Sequence, residues 1–250
     1  MPIVADMGAQ VKARLGEDMA GVITHLVIAN EILKLIPEGV IKDKGLFYLG
    51  SIAPDAVHSR ENYIRIYKKH SHFRDEIPDK DFHKPENYKI YLERLINFIR
   101  RNVSRNDELI DLYRGYVVHI ITDELFVLSV RQEFCDTMIK YGIEQDNSLF
   151  FKYIVNDMTR NDMLLLSSYE EIETIRNEIE KAAVYSIEDY VSSQELSDCR
   201  DWLIRHHFIE KRDIIMPVYI SFDRTLSFIN WAAEEIVTRL HRGSQLPKIL

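Results

Sequence analysis

The sequence is short of the residues that make turns and cross-links. Nine glycines and seven prolines among 250 residues amount to about half of average usage. Sandwiches and barrels of short strands need many tight turns and carry more of both, so the scarcity points to helices. Two cysteines, Cys135 and Cys199, are far too few for a disulfide-stapled secreted scaffold. No run approaches the roughly eighteen apolar residues of a membrane-crossing helix. The first twenty residues, MPIVADMGAQVKARLGEDMA, contain no apolar core of signal-peptide length. Basic residues are also in deficit: 32 Lys and Arg face 40 Asp and Glu, giving a formal net charge of −8. That balance favours solubility and disfavours a non-specific grip on polyanions. A soluble, cytoplasmic protein is expected, without a transmembrane segment and with nucleic acid an unlikely partner.

What is present is apolar and periodic. With 46% hydrophobic residues, the chain can bury a proper core. Residues 1–21 are polar and aperiodic and read as an N-terminal extension. Apolar residues then fall at helical spacing over 22–36, and Pro37-Glu38-Gly39 supplies a stop. The compact stretch 46–53 is short enough for a strand or a buried helical turn. Residues 58–85, rich in His, Lys, Asp and Pro, read as a long irregular connection, a kind of segment that usually serves function. Further helices are expected over 86–102, from Asn106 or Asp107 unbroken to about Cys135, around 172–182 and over 223–240. No repeat or flexible linker divides the chain. The expectation is one all-α domain over 22–250.

The strongest chemical signal is Gly115-Tyr-Val-Val-His119-Ile-Ile-Thr-Asp123. A spacing of four stacks His119 and Asp123 on one helix face, inside a run that is apolar almost all round. A carboxylate there is expensive unless its charge is compensated. A metal ion would do so, because imidazole and carboxylate are both zinc ligands. A buried His–Asp hydrogen bond that only orients the helix fits the spacing equally well. His25 shares a helix face with Ala29, Ile32 and Ile36, where a lone histidine is more often a core residue than a ligand. Asp55 follows Pro54 at the end of an apolar stretch, where a turn or cap is the ordinary role. His72 lies in Lys69-His-Ser-His-Phe73, on the His-rich connection. His58 is three residues after Asp55, so a helical turn would put both on one side. His206, His207 and His241 read as solvated, and Lys68, Lys69 and Arg74 as a basic loop.

Taken in order, these residues resemble the zinc-dependent phospholipase C family, which shares its site with zinc-dependent single-strand nucleases. Thr24-His25-Leu26 with Ile28-Ala29-Asn30 is similar to the family's first metal-binding helix. Asp55 matches its early aspartate, Ser71-His72-Phe73 its S-H-F histidine, and His119 and Asp123 its H-x-x-x-D helix. The resemblance spans roughly residues 22–130. It implies an all-helical fold holding metal ions between helices, with Asp123 bridging and Asp55 both ligating and helping to take a proton. Two features depart from the family. The secreted enzymes bind a metal through their processed N-terminal residue, whereas 24 residues precede His25 here. They also place a histidine six positions after the bridging aspartate, where this chain has Ser129, and no histidine occurs between His119 and His206. One or two zinc ions, or ions of another divalent transition metal, are therefore expected rather than three, with the His25 site the weaker and His58 a replacement ligand.

The expected function is metal-dependent hydrolysis of a phosphate ester, the substrate being small or phospholipid-like. A non-catalytic helical metal-binding domain and a nuclease are the alternatives the sequence leaves open. It leaves the oligomeric state undefined.

Overall fold

A computed structural model describes residues 20–103, 108–241 and 246–250. In chain order the helices are α1 (Val22–Leu35), α2 (Lys44–Gly50), α3 (Arg65–Ser71), α4 (Pro85–Phe98), α5 (Ile110–Leu128), α6 (Val130–Lys140), α7 (Ser148–Ser168), α8 (Ile172–Lys181), α9 (Ser193–Leu203) and α10 (Phe222–His241). A 3₁₀ helix covers Ala53–Ser59. Among the described residues there is no strand, only an isolated bridge between Ile187 and Val191. The fold is all-α. No described helix is long and apolar enough to cross a membrane.

Helix α5 lies at the centre because its sequence gives it no polar side to show to water. Residues 115–126 are buried without interruption. Against it packs α2, and the two backbones touch where Gly50 meets Gly115. A Cβ on Gly115 would fall inside the van der Waals envelope of the Phe47 carbonyl oxygen, and one on Gly50 would strike that of Leu112. Here the missing side chain is what lets the helices approach.

Buried acids fix the neighbouring helices. Glu124 accepts hydrogen bonds from the hydroxyls of Tyr88 (2.9 Å) and Tyr91 (3.1 Å) and from Arg239 Nη1 (2.7 Å), joining α4, α5 and α10. Asp111 accepts the backbone N–H groups of Lys42 and Asp43, each at 2.8 Å, which sets the entry to α2. Gly21, the N-cap of α1, carries no side chain to cap it. Asp162 of α7 does so instead, accepting from the backbone N–H groups of Ile23 and Thr24, both at 3.1 Å, and from Thr24 Oγ1 at 3.0 Å. A carboxylate at a helix N-terminus satisfies orphan donors and meets the favourable end of the dipole.

Several boundaries differ from the sequence expectation. The connection over 58–85 is not irregular throughout: it holds α3, anchored where Ser71 Oγ donates to the Pro54 carbonyl at 2.8 Å. The stretch 46–53 begins as α2, whose N-cap Asp43 accepts from Leu46 N at 2.9 Å. The central helix does not run to Cys135. It stops at Leu128, and Ser129 Oγ donates back to the Leu125 carbonyl at 2.6 Å, a local bond that competes with helix continuation. The expected start at Asn106 or Asp107 lies outside the described residues. Helices α7 and α9 were not individually expected, although Ser192 and Glu195 form a capping box at the start of α9 that follows a readable pattern.

Gly115→Ala should destabilise the fold by about 3 kcal/mol, the upper end of ordinary overpacking, because the added methyl meets a backbone atom that cannot swing aside. Chemical denaturation checks this; a loss below about 1 kcal/mol would mean that α2 and α5 are not in backbone contact.

Candidate metal centre

The apolar surroundings of α5 turn His119 and Asp123 inward, one helical turn apart and fully buried. Three other elements bring donors to them. From α1 comes His25, from the 3₁₀ helix Asp55, and from the C-terminal end of α3 His72.

Backbone carbonyls orient two of the rings. His119 Nδ1 donates to the Ser51 carbonyl and His72 Nδ1 to the Lys68 carbonyl, each at 2.8 Å. A carbonyl can only accept, so each ring carries a hydrogen at Nδ1 and points Nε2 into the centre. The two Nε2 atoms are 3.2 Å apart. Asp123 Oδ2 lies 3.2 Å from His72 Nε2 and 3.3 Å from His119 Nε2, while its Oδ1 is 3.2 Å from His25 Nε2. Asp55 Oδ1 is 3.5 Å from His72 Nε2. The His25 ring stacks on that of His119 with centroids 3.9 Å apart. Two sets of donors result, His25–His119–Asp123 and Asp55–His72–His119, with the ligand atoms in each within 4.8 Å of one another.

This donor set fits a cation. His25 Nδ1 and Asp123 Oδ2 are buried without a hydrogen-bond partner, and Asp55 Oδ1 has only the Lys68 ammonium, at 2.9 Å. Acceptors driven together away from water repel unless a positive charge lies among them. Nitrogen and carboxylate oxygen, without sulfur, suit zinc.

The electrostatics agree with that reading. Burial pushes His72 down to about 4. For Asp123, burial works upward, but His119 and His25 outweigh it and hold the carboxyl well below the usual range. Burial would also depress His119, yet the Asp123 charge raises it. A proton on His119 thus does part of what a metal would do, and the two compete.

The remaining candidates divide. His58 does fall on the same side of its 3₁₀ turn as Asp55, as three residues per turn require, and it is buried. It belongs to neither donor set; its ring packs edge-on against Tyr63 at 4.7 Å, and burial depresses it to about 3. His70, beside His72 in sequence, faces outward and meets Asp75 at 2.9 Å.

Some contributors were not read from the sequence. Ala20 is buried rather than part of a polar extension, and its N–H lies 3.4 Å from Asp123 Oδ1; residues 1–19 lie outside the described residues. Lys68 is no loop residue: it is buried in α3, with Nζ 2.9 Å from Asp55 Oδ1. A cavity of about 90 Å³ touches His25, Asp55 and His119, and its far wall is built by Met158, Trp202 and Arg212 together with His207. His207, expected to be solvated, is 9% exposed. The packing of Trp202 against it, centroids 5.0 Å apart, is a contact that no local pattern announces.

Residues 24–125 match the family model described as zinc dependent phospholipase C. The match supports membership of that zinc-dependent family. Comparison with curated proteins and with solved structures gave no match. The matched segment contains His25, Asp55, His72, His119 and Asp123, the residues that meet here. Ser129, six positions after Asp123, offers no ligand, because its hydroxyl is spent on the Leu125 carbonyl.

Buried neutral histidines give the metal-free protein a definite pH dependence. His58 and His207 are both lowered to about 3, so their contribution is complete above the unfolded value near 6.5 and is lost as pH falls. Asp162, raised by burial to about 6, acts in the opposite sense as it takes up a proton. At pH 5 each histidine costs about 2 kcal/mol, against about 1 kcal/mol relieved at Asp162. The melting temperature of chelator-treated protein should therefore fall between pH 7 and pH 5. A rise over that interval would contradict this assignment.

Proposed function

We propose that the chain is a zinc-dependent hydrolase of phosphate esters, with residues 22–250 acting as one helical domain. Asp55, His72, His119 and Asp123 hold the metal, and His25 supports the second oxygen of Asp123. The observation that carries this reading is the convergence of the His72 and His119 Nε2 atoms, 3.2 Å apart, on Asp123 Oδ2. Bound zinc supplies a water of lowered pKa and stabilises charge on phosphoryl oxygens.

The protein's own groups have distinct tasks. Asp123 is 0% exposed and faces His25 through one oxygen and His72 and His119 through the other, a bridging posture. Asp55 is 9% exposed and lines the cavity; of the two carboxylates assigned to the metal, it is the one within reach of a substrate. Burial would raise its carboxyl, but Lys68 and the surrounding histidines hold it well below the usual range. Asp55 therefore stays ionised and serves to orient the attacking water as a hydrogen-bond acceptor. The cavity that reaches Asp55 and His119 leaves room for a water as a fifth neighbour of the metal, and this favours catalysis over a structural site closed by four protein ligands.

A lipid-like substrate suits the surroundings. Ile52, Val155 and Met158 line the cavity, and the chain that follows His207 exposes Ile214, Ile215, Met216 and Val218. An acidic protein with such a margin matches an ester with an apolar part better than a nucleic acid.

Zinc-loaded protein should hydrolyse bis(p-nitrophenyl) phosphate or a micellar phospholipid, lose that activity to chelator and regain it with zinc. His119→Ala should lose most of the bound metal and all measurable turnover. No turnover by fully metallated protein on either substrate would leave the structural alternative; full metal occupancy in the variant would overturn the ligand assignment.

A further inference from the structure

The centre already contains a cation. Lys68 is 5% exposed, and its Nζ lies 2.9 Å from Asp55 Oδ1, the same oxygen that faces His72 Nε2 at 3.5 Å. The residue is held at its backbone as well, since the Lys68 carbonyl accepts from His72 Nδ1 at 2.8 Å. Moving this part of α3 would release the His72 ring from its orientation. With its side chain buried, the ammonium has no water to retreat into.

Charge then limits what else can enter. Asp55 and Asp123 bring two negative charges, and neutral histidines bring none. Lys68 leaves a net of minus one, which a single divalent ion turns into plus one. A second divalent ion would bring three net positive charges into a space closed to water, where like charges a few ångströms apart interact strongly. The donors impose the same limit. His119 belongs to both donor sets, and its one free nitrogen serves one ion. Whichever ion takes it leaves the other with a single histidine and a carboxylate.

We infer that Lys68 takes the place of a second divalent ion, so that the centre holds one zinc, at Asp55, His72, His119 and Asp123. This rests on the metal reading given above and narrows it. His25 then acts on Asp123 from outside, through its 3.2 Å contact with Oδ1, and not as the ligand of a weaker ion. The single ion with the ammonium beside it presents net positive charge to the cavity, as an anionic phosphoryl group requires.

Zinc titration of chelator-treated protein, followed by calorimetry and elemental analysis, tests this without reference to activity. Wild-type protein should take up one zinc, with any second at least a hundredfold weaker. Lys68→Met, which keeps most of the length and removes the charge, should tighten the second zinc at least tenfold, while Lys68→Arg should keep the wild-type count of one. Two tight zinc ions in the wild type overturn the inference, and so does a Lys68→Met variant that still binds only one. Absence of zinc from all three proteins would overturn the metal reading itself. The wild-type count decides the matter even where Lys68→Met fails to fold.

Discussion

Asp123 is a carboxylate in the middle of a helix that has no polar face, and its charge must be compensated from outside that helix. Burying such a group unpaired costs several kcal/mol. The compensation comes from α1 through His25, from α3 through His72, and from one turn back on α5 through His119. The same contacts therefore decide both how these helices meet and where the candidate metal centre lies. Close approach of α2 at Gly50 and Gly115 brings the Ser51 carbonyl to His119 Nδ1 and so fixes the tautomer on which the centre depends.

The other buried acids make the contrast plain. Glu124 is saturated by two tyrosine hydroxyls and an arginine. Asp157 accepts the backbone N–H groups of Val218 and Ile220 at 2.9 and 3.0 Å, and Asp162 caps α1. Each has its hydrogen bonds and serves the architecture. Asp123 Oδ2 has no hydrogen-bond donor and faces imidazole nitrogen instead; Asp55 Oδ1 has one ammonium and, beside it, the His72 ring. Satisfied acids mark the frame, and unsatisfied ones mark the place for a cation.

The all-α class and the inward-facing His119–Asp123 pair were legible because both follow from periodicity and from the cost of charge in an apolar run. The meeting of His25, Asp55 and His72 was legible only through their order along the chain; no spacing rule joins residues so far apart in sequence. What escaped depends on distant contacts. Lys68 looks like a solvated loop residue until α3 buries it against Asp55. His207 looks exposed until Trp202 covers it. The break at Ser129 turns on a hydroxyl choosing the Leu125 carbonyl, a local event with a weak sequence signal.

The account stands on zinc being held at this centre by imidazole and carboxylate alone. X-ray absorption spectroscopy at the zinc edge, on protein loaded with one equivalent, measures that directly. Four to five nitrogen or oxygen neighbours at about 2.0–2.2 Å, with the outer-shell signature of two imidazole rings, are predicted. A sulfur neighbour at about 2.3 Å would place the ion at Cys199 or Cys135 instead, and a spectrum without imidazole would remove it from His72 and His119; either result contradicts the account.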